Sequence, residues 1–287
     1  MKLKEWGAFA LLGLIWGSSF LWIKIAIREI GPFTLVAYRM LLGLLGLLVI
    51  MRVQKQSIPR NKQVLLACLF MGMFNSAIPF TLISWGETRI DSGLASILNS
   101  TVPLFTIIIA HFWLHDEKMT FSRLAGLIIG FAGIVVLVGR DGGLSGSLWG
   151  KLAVIAAAIS YATAITFSRR YLRGQPPAMQ SAMMLLTGDV LMWTVTPFME
   201  TKFIPALPMT WLAIAWLGLL GTCLAYVLFF HLINVWGPTR ASLVSYLFPV
   251  IGLTLGIVFL NEVADWRLFA GLLLVVSGIA VVNLNLE

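Results

Sequence analysis

Ten apolar runs, each close to the length of a bilayer-crossing helix, follow one another along this chain with short connections between them. They fall near residues 6–27, 32–51, 63–85, 93–114, 121–139, 149–168, 177–198, 209–233, 241–260 and 267–285. A bilayer core about 30 Å thick takes about 20 apolar residues of α-helix, so spans use up the 287 residues and leave nothing for a separate soluble domain. The expected fold is an all-α integral membrane protein of ten transmembrane helices. Composition agrees: 59% of residues are hydrophobic, 11% are charged and mean hydropathy is +0.94, outside the range of soluble domains. Met1-Lys2-Leu3-Lys4 and the run behind it read as a retained first helix. The run reaches about Ile27, beyond a signal-peptide core, and no small-residue cleavage site follows.

Lys and Arg near helix ends are retained on the cytoplasmic side. With the N-terminus inside, that side holds twelve: Lys2, Lys4, Arg52, Lys55, Arg60, Lys62, Lys118, Arg123, Arg169, Arg170, Arg173 and Arg240. The outer side holds six: Arg28, Arg89, Arg140, Lys151, Lys202 and Arg267. The expectation is a multi-pass protein of the cell (inner) membrane with both termini cytoplasmic. The net charge of +8 punctuates apolar runs instead of forming a patch, so no nucleic-acid partner is expected. Cys68 and Cys223 lie in apolar segments without a CxxC or Cys/His partner, and read as packing residues. No metal and no cofactor are expected.

The chain also repeats itself. Pro103, Glu117, Gly126 and Gly133 are matched by Pro249, Glu262, Gly271 and Gly278, so E-x8-G-x6-G occurs twice, 145 residues apart (262 − 117). Residues 1–143 and 144–287 then form two five-helix repeats. An odd number of spans makes the second enter from the opposite side, which gives inverted repeats with a central cavity between them, the geometry of many secondary transporters.

Three features together carry a family likeness: Ile15-Trp16-Gly17-Ser18-Ser19-Phe20 in the first helix, Tyr38-Arg39 in the second, and the duplicated Pro-to-Glu-to-Gly pattern. In these the chain resembles the EamA-type transporters of the drug/metabolite transporter superfamily over nearly its full length. The resemblance implies a ten-helix exporter fold whose cavity is formed by the first, third, fourth, sixth, eighth and ninth helices. It also implies substrates among amino acids and other small metabolites. One departure is the sixth helix, where Ser160-Tyr161 stands in place of Trp16-Gly17, so the two halves of the cavity are chemically unequal.

A proline inside a span frees the carbonyl four residues earlier, which needs another partner in lipid. Pro79, Pro103 and Pro249 are such kinks, and they free the carbonyls of Asn75, Asn99 and Ser245. Either these groups converge on a wet cavity or the kinks are relieved by helix packing. Ser92, Ser96, Asn99 and Pro103 share one helix face. Ser242, Ser245, Pro249, Gly252 and Gly256 form a second stripe, with close packing expected at the glycines and cavity lining at Ser245. Trp16, Phe20 and Lys24 follow at steps of four, as packing or as an aromatic face for a substrate ammonium. Tyr161, Tyr226 and Tyr246 lie well inside spans, where a phenol needs a partner. The candidate substrate-binding set is Trp16, Ser19, Asn75, Asn99, Tyr161, Tyr226, Ser245 and Tyr246.

Ionisable residues within spans need a reason. Lys24 is expected to snorkel outward, and His111 and His231 to be interfacial. Arg39 and Asp189 are deep, either as an ion pair or as a coupling site, with Asp189 the one deep carboxylate available for proton coupling. Glu117 and Glu262 open helices and suit their positive ends. The chain contains no HExxH, no Walker A motif and no coherent Ser/His/Asp set, so an enzyme is not expected. The reading is a secondary transporter, an exporter of small polar or amphipathic metabolites working by alternating access, as a monomer or weak homo-oligomer in the lipid bilayer. The alternative is a lipid flippase or a membrane sensor without solute transport.

Overall fold

A computed structural model describes residues 3–56, 61–114, 119–139, 146–236 and 243–283. The expected boundary between the repeats, and Glu117, lie outside these residues. Among the described residues the chain is helical and has no strand. The first five spans are Leu3–Ala26, Pro32–Val53, Lys62–Glu87, Ser92–Trp113 and Phe121–Val138. Span 6 is Gly146–Tyr171 and span 7 is Pro177–Met199. Span 8 comprises Pro208–Ala215, Trp216–Leu224 and Ala225–Trp236. Span 9 comprises Leu243–Tyr246 and Leu247–Leu260, and span 10 is Trp266–Asn283. Ten spans were expected from hydropathy, at nearly these limits. The protein is an all-α, multi-pass membrane protein.

Local chemistry explains where helices begin. Spans 2, 7 and 8 start on Pro32, Pro177 and Pro208, where a missing N–H has no helical partner to lose. The Asn61 side chain accepts from the Gln63 N–H at 2.8 Å and so caps span 3.

Four spans are interrupted, in two matching pairs. Spans 3 and 8 carry π-helical stretches at Met73–Ala77 and Trp216–Leu224. The repeat offset of 145 carries residue 73 to 218 and residue 77 to 222, inside the second stretch. Span 4 restarts after Ser100 and Thr101, and span 9 opens with a 3-10 turn, Leu243–Tyr246. The expected kinks resolve into helix restarts. Pro79 and Pro103 are each the second residue of the helix that follows a break, and Pro249 is the third. There the lost N–H costs little. Span 7 holds a further proline, Pro197, that the sequence reading did not single out.

Spans 5 and 10 meet backbone to backbone. A Cβ on Gly126 would lie 2.5 Å from the Gly278 carbonyl oxygen, and one on Gly133 would lie 2.9 Å from that of Gly271. The low-numbered glycine of one span faces the high-numbered glycine of the other, so the two run antiparallel. The second glycine stripe behaves as expected, since a Cβ on Gly252 would lie 2.5 Å from the Ser96 side chain.

Side chains from one span also cap the ends of others. Glu200, after span 7, accepts from the N–H groups of Phe33 and Thr34 at 2.9 Å each, at the start of span 2. Gln56, after span 2, accepts from the Met179 N–H at 3.1 Å, at the start of span 7. Glu262 was expected to serve its own helix, but its carboxylate accepts from Ser92 and Gly93 N–H at 2.6 and 2.9 Å, at the start of span 4. The chemistry is the expected attraction to a helix N-terminus, and the helix is a different one. Glu29 holds Ala206 and Leu207 before span 8. The Thr210 hydroxyl and those two N–H groups keep the Glu29 carboxyl below the usual carboxylate range. Cations close the opposite poles. Lys24 does not snorkel outward, because its Nζ donates to the carbonyls of Glu87 at 2.6 Å and Ile90 at 2.7 Å, at the end of span 3. Lys151, almost fully buried, donates to the Val138 carbonyl at 3.0 Å, at the end of span 5.

Candidate functional site

The π stretches of spans 3 and 8 bring polar groups together inside an apolar molecule. A π turn widens the ring of backbone hydrogen bonds and leaves carbonyls for other donors. Spans 1 and 6 supply them. Trp16 Nε1 donates to the Gly221 carbonyl at 3.1 Å, within the span 8 stretch. Ser160 Oγ donates to the Phe74 carbonyl at 2.7 Å, within the span 3 stretch. The departure at Ser160-Tyr161 therefore has a structural counterpart: an indole serves one side and a hydroxyl the other.

Around these carbonyls the side chains connect. Asn75 Nδ2 donates to the Tyr226 hydroxyl at 3.2 Å and lies equally close to the Met184 sulfur. The Tyr226 ring stands edge-on to Trp16, 6.4 Å between centroids, and Trp16 also meets Phe229 and Phe248. Thr222 Oγ1 donates to the Leu217 carbonyl five residues back at 2.8 Å, the π spacing. The same oxygen accepts from Arg39 Nε at 3.1 Å. The buried Arg39 guanidinium lies over the Phe80 ring at 3.8 Å, a cation–π contact. Phe80 in turn meets Tyr161 edge-on at 6.5 Å. Ser19 is buried, donates to the Ile15 carbonyl within its own helix, and faces Gly221.

Of the residues singled out from sequence, Trp16, Ser19, Asn75, Tyr226, Arg39 and Tyr161 thus belong to one connected group. Asn99, Ser245 and Tyr246 sit at the breaks of spans 4 and 9. Asn99 Oδ1 is buried without a hydrogen-bond partner among the described residues. Arg39 and Asp189 form no ion pair with each other, since Arg39 is taken by Thr222 and Phe80. Asp189 lies beside Trp193 with one carboxyl oxygen buried and unpartnered among the described residues.

Sequence reasoning passed over Thr222, Phe80 and Glu87. Thr222 was findable, because subtracting the repeat offset places it at Ala77, in the turn before Pro79. Glu87 was missed because hydropathy ended the third run at 85, whereas the helix runs on to Glu87, where the side chain is fully buried. Asp189 is therefore not the one buried carboxylate. A groove of about 560 Å³ also opens between spans 1, 8 and 9. It is lined by Leu21, Trp22, Trp216 and Phe259 and adjoins the polar group through Ser18, whose hydroxyl accepts from Trp216 Nε1 at 3.2 Å.

Ten helical spans among the described residues, with a connected group of polar side chains buried between them, define a polytopic membrane protein. The chain belongs to the EamA-like transporter family, which it matches twice in tandem, over residues 5–139 and 148–284. It is similar to the uncharacterized transporter YoaV of Bacillus subtilis (strain 168), 28% identical over 271 residues, covering 93% of this chain and 92% of that one. It is similar also to the uncharacterized inner membrane transporter YedA of Escherichia coli (strain K12), 29% identical over 254 residues, 87% of this chain and 81% of that one. A solved crystal structure has the same fold, with a TM-score of 0.70 at 20% identity over 98% of this chain and 96% of the other.

Proposed function

We propose that this transporter exports small polar or amphipathic metabolites, amino acids foremost, by alternating access between two inverted five-helix repeats. The observation that carries the reading is the Asn75–Tyr226 and Arg39–Thr222 pair of contacts at the two π stretches. Each joins the two halves of the chain, so a solute held there touches both. Trp16, Tyr161 and Phe80 offer flat faces for an apolar moiety or an ammonium. Arg39 offers a fixed positive charge for a carboxylate. Asn75, Asn99, Ser19, Ser245 and Tyr246 supply neutral hydrogen-bonding groups. Inversion is supported by the odd number of spans in each half and by the antiparallel meeting of spans 5 and 10.

Purified protein screened by thermal unfolding against amino acids and related metabolites identifies the ligand, because binding the folded state raises apparent stability. The ligand found is then loaded into proteoliposomes, where saturable efflux is expected. Scrambling of labelled lipid without solute efflux would instead support a flippase. Asp189 is the proposed coupling residue for that flux. Asp189→Asn is expected to abolish its dependence on a pH gradient while leaving exchange, and unchanged gradient dependence rules the role out.

A further inference from the structure

Three charged side chains crowd the place where spans 3 and 4 meet, and only two of them are satisfied. Lys24, from span 1, has its ammonium on the carbonyls of Glu87 and Ile90. Glu262, from the turn before span 10, has both carboxylate oxygens on the N–H groups of Ser92 and Gly93. The Glu87 side chain is 0% exposed, and neither of its oxygens has a hydrogen-bond partner among the described residues. No other group packed around it among the described residues hydrogen-bonds to it. Arg39 on span 2 is held by Thr222 and Phe80, and Arg89 lies over the Trp85 ring at 3.7 Å. Span 6 brings Gly150, Ala153 and Val154 against Gly86. The Ser92 hydroxyl beside Glu262 is likewise buried and unpartnered among the described residues.

A carboxylate buried without a hydrogen-bond partner costs several kcal/mol. In this closed arrangement the group is stable as the neutral acid. Losing the proton needs water, from which the 0% exposed side chain is shut off in this arrangement, beside the Lys24 contacts at the end of span 3 and the Glu262 contacts at the start of span 4. We propose that Glu87 is a proton-binding site that keeps its proton while this end of the bundle is shut and gives it to water when the end opens. The O–H bond breaks, its electron pair stays on the carboxylate, and the ionised form holds the end open. Proton occupancy and gate position then become one equilibrium.

The use of this device in transport rests on the proposed function, but its test needs no solute, so the two readings fail separately. The full-length protein in lipid nanodiscs is studied by infrared spectroscopy of protonated carboxyl groups and by hydrogen exchange of residues 84–96, from about pH 5 to about pH 9. In the native protein exchange in this segment, corrected for its intrinsic pH dependence, is expected to rise as pH rises. Glu87→Gln removes one protonated carboxyl band and loses that rise. Glu87→Asp keeps it with a shifted midpoint, and also serves if Glu87→Gln does not accumulate as folded protein. An unchanged carboxyl spectrum, or an undiminished rise in Glu87→Gln, or an unshifted midpoint in Glu87→Asp, overturns the proposal.

Discussion

Tyr226 is where the two halves of the chain hydrogen-bond at the centre, and its hydroxyl accepts from Asn75 inside the span 3 π stretch. Removing only that oxygen separates a binding role from a packing role, because the ring keeps its edge-on contact with Trp16. Tyr226→Phe is expected to cost about 1 kcal/mol of stability, the net worth of one hydrogen bond. It is also expected to weaken the metabolite found by thermal screening several-fold, read as the ligand concentration needed for half the stabilisation. Equal ligand affinity in both proteins would place Tyr226 outside the site. Arg39 calls for a different substitution. Its guanidinium stacks flat on Phe80 while Nε donates sideways to Thr222, a double engagement an ammonium cannot copy. Arg39→Lys is expected to lower stability by about 1–3 kcal/mol, measured by chemical or thermal unfolding in detergent.

At the scale of elements, the seam between spans 5 and 10 tolerates no added atoms. A Cβ on Gly278 would lie only 2.4 Å from the Gly130 nitrogen and 2.6 Å from the Gly126 oxygen. Gly278→Leu and Gly126→Leu are each expected to cut the yield of folded protein sharply, beyond the roughly 1–3 kcal/mol of ordinary overpacking, because the obstacle is backbone. Gly139→Leu, where a Cβ meets nothing within 4 Å, is the control. The seam was legible in sequence as the duplicated glycine spacing, and the spans were legible because hydropathy reports lipid contact directly. The π stretches were not. Span 8 makes one at Trp216–Leu224 without a proline to announce it, and helical periodicity carries no mark of that choice. Nor were the caps from other spans legible, since Glu262 on Ser92 and Gly93 joins residues about 170 positions apart. Such pairings exist only once the bundle has assembled.

For the whole molecule, the distribution of Lys and Arg argues for both termini on the cytoplasmic side. Single cysteines at Lys4 and Lys55, in a background with Cys68 and Cys223 replaced by Ala, are expected to resist a membrane-impermeant thiol reagent in intact cells and to react once the membrane is opened. A cysteine at Lys202 is expected to react in intact cells. The opposite pattern reverses the orientation. The end that carries Glu29, Glu200 and Glu262 is fastened by carboxylates on helix N-termini, while the described part of the other end has Gln56 on Met179. The fastenings of the two ends differ in charge, so acid acts on them unequally.

The seam of glycines has a consequence for how a chain like this can change. Where two backbones touch, any enlargement on one side has to be answered by a retreat on the other, and a glycine has nothing left to give up. Those positions are locked to one another although the touching partners stand 152 (278 − 126) and 138 (271 − 133) positions apart along the chain. Trp16 and Tyr161, which face neighbours through side chains, carry no such debt. Divergence is therefore easier at side-chain contacts than at the joint that unites the halves. A single architecture can in this way be re-lined for new cargo without being rebuilt.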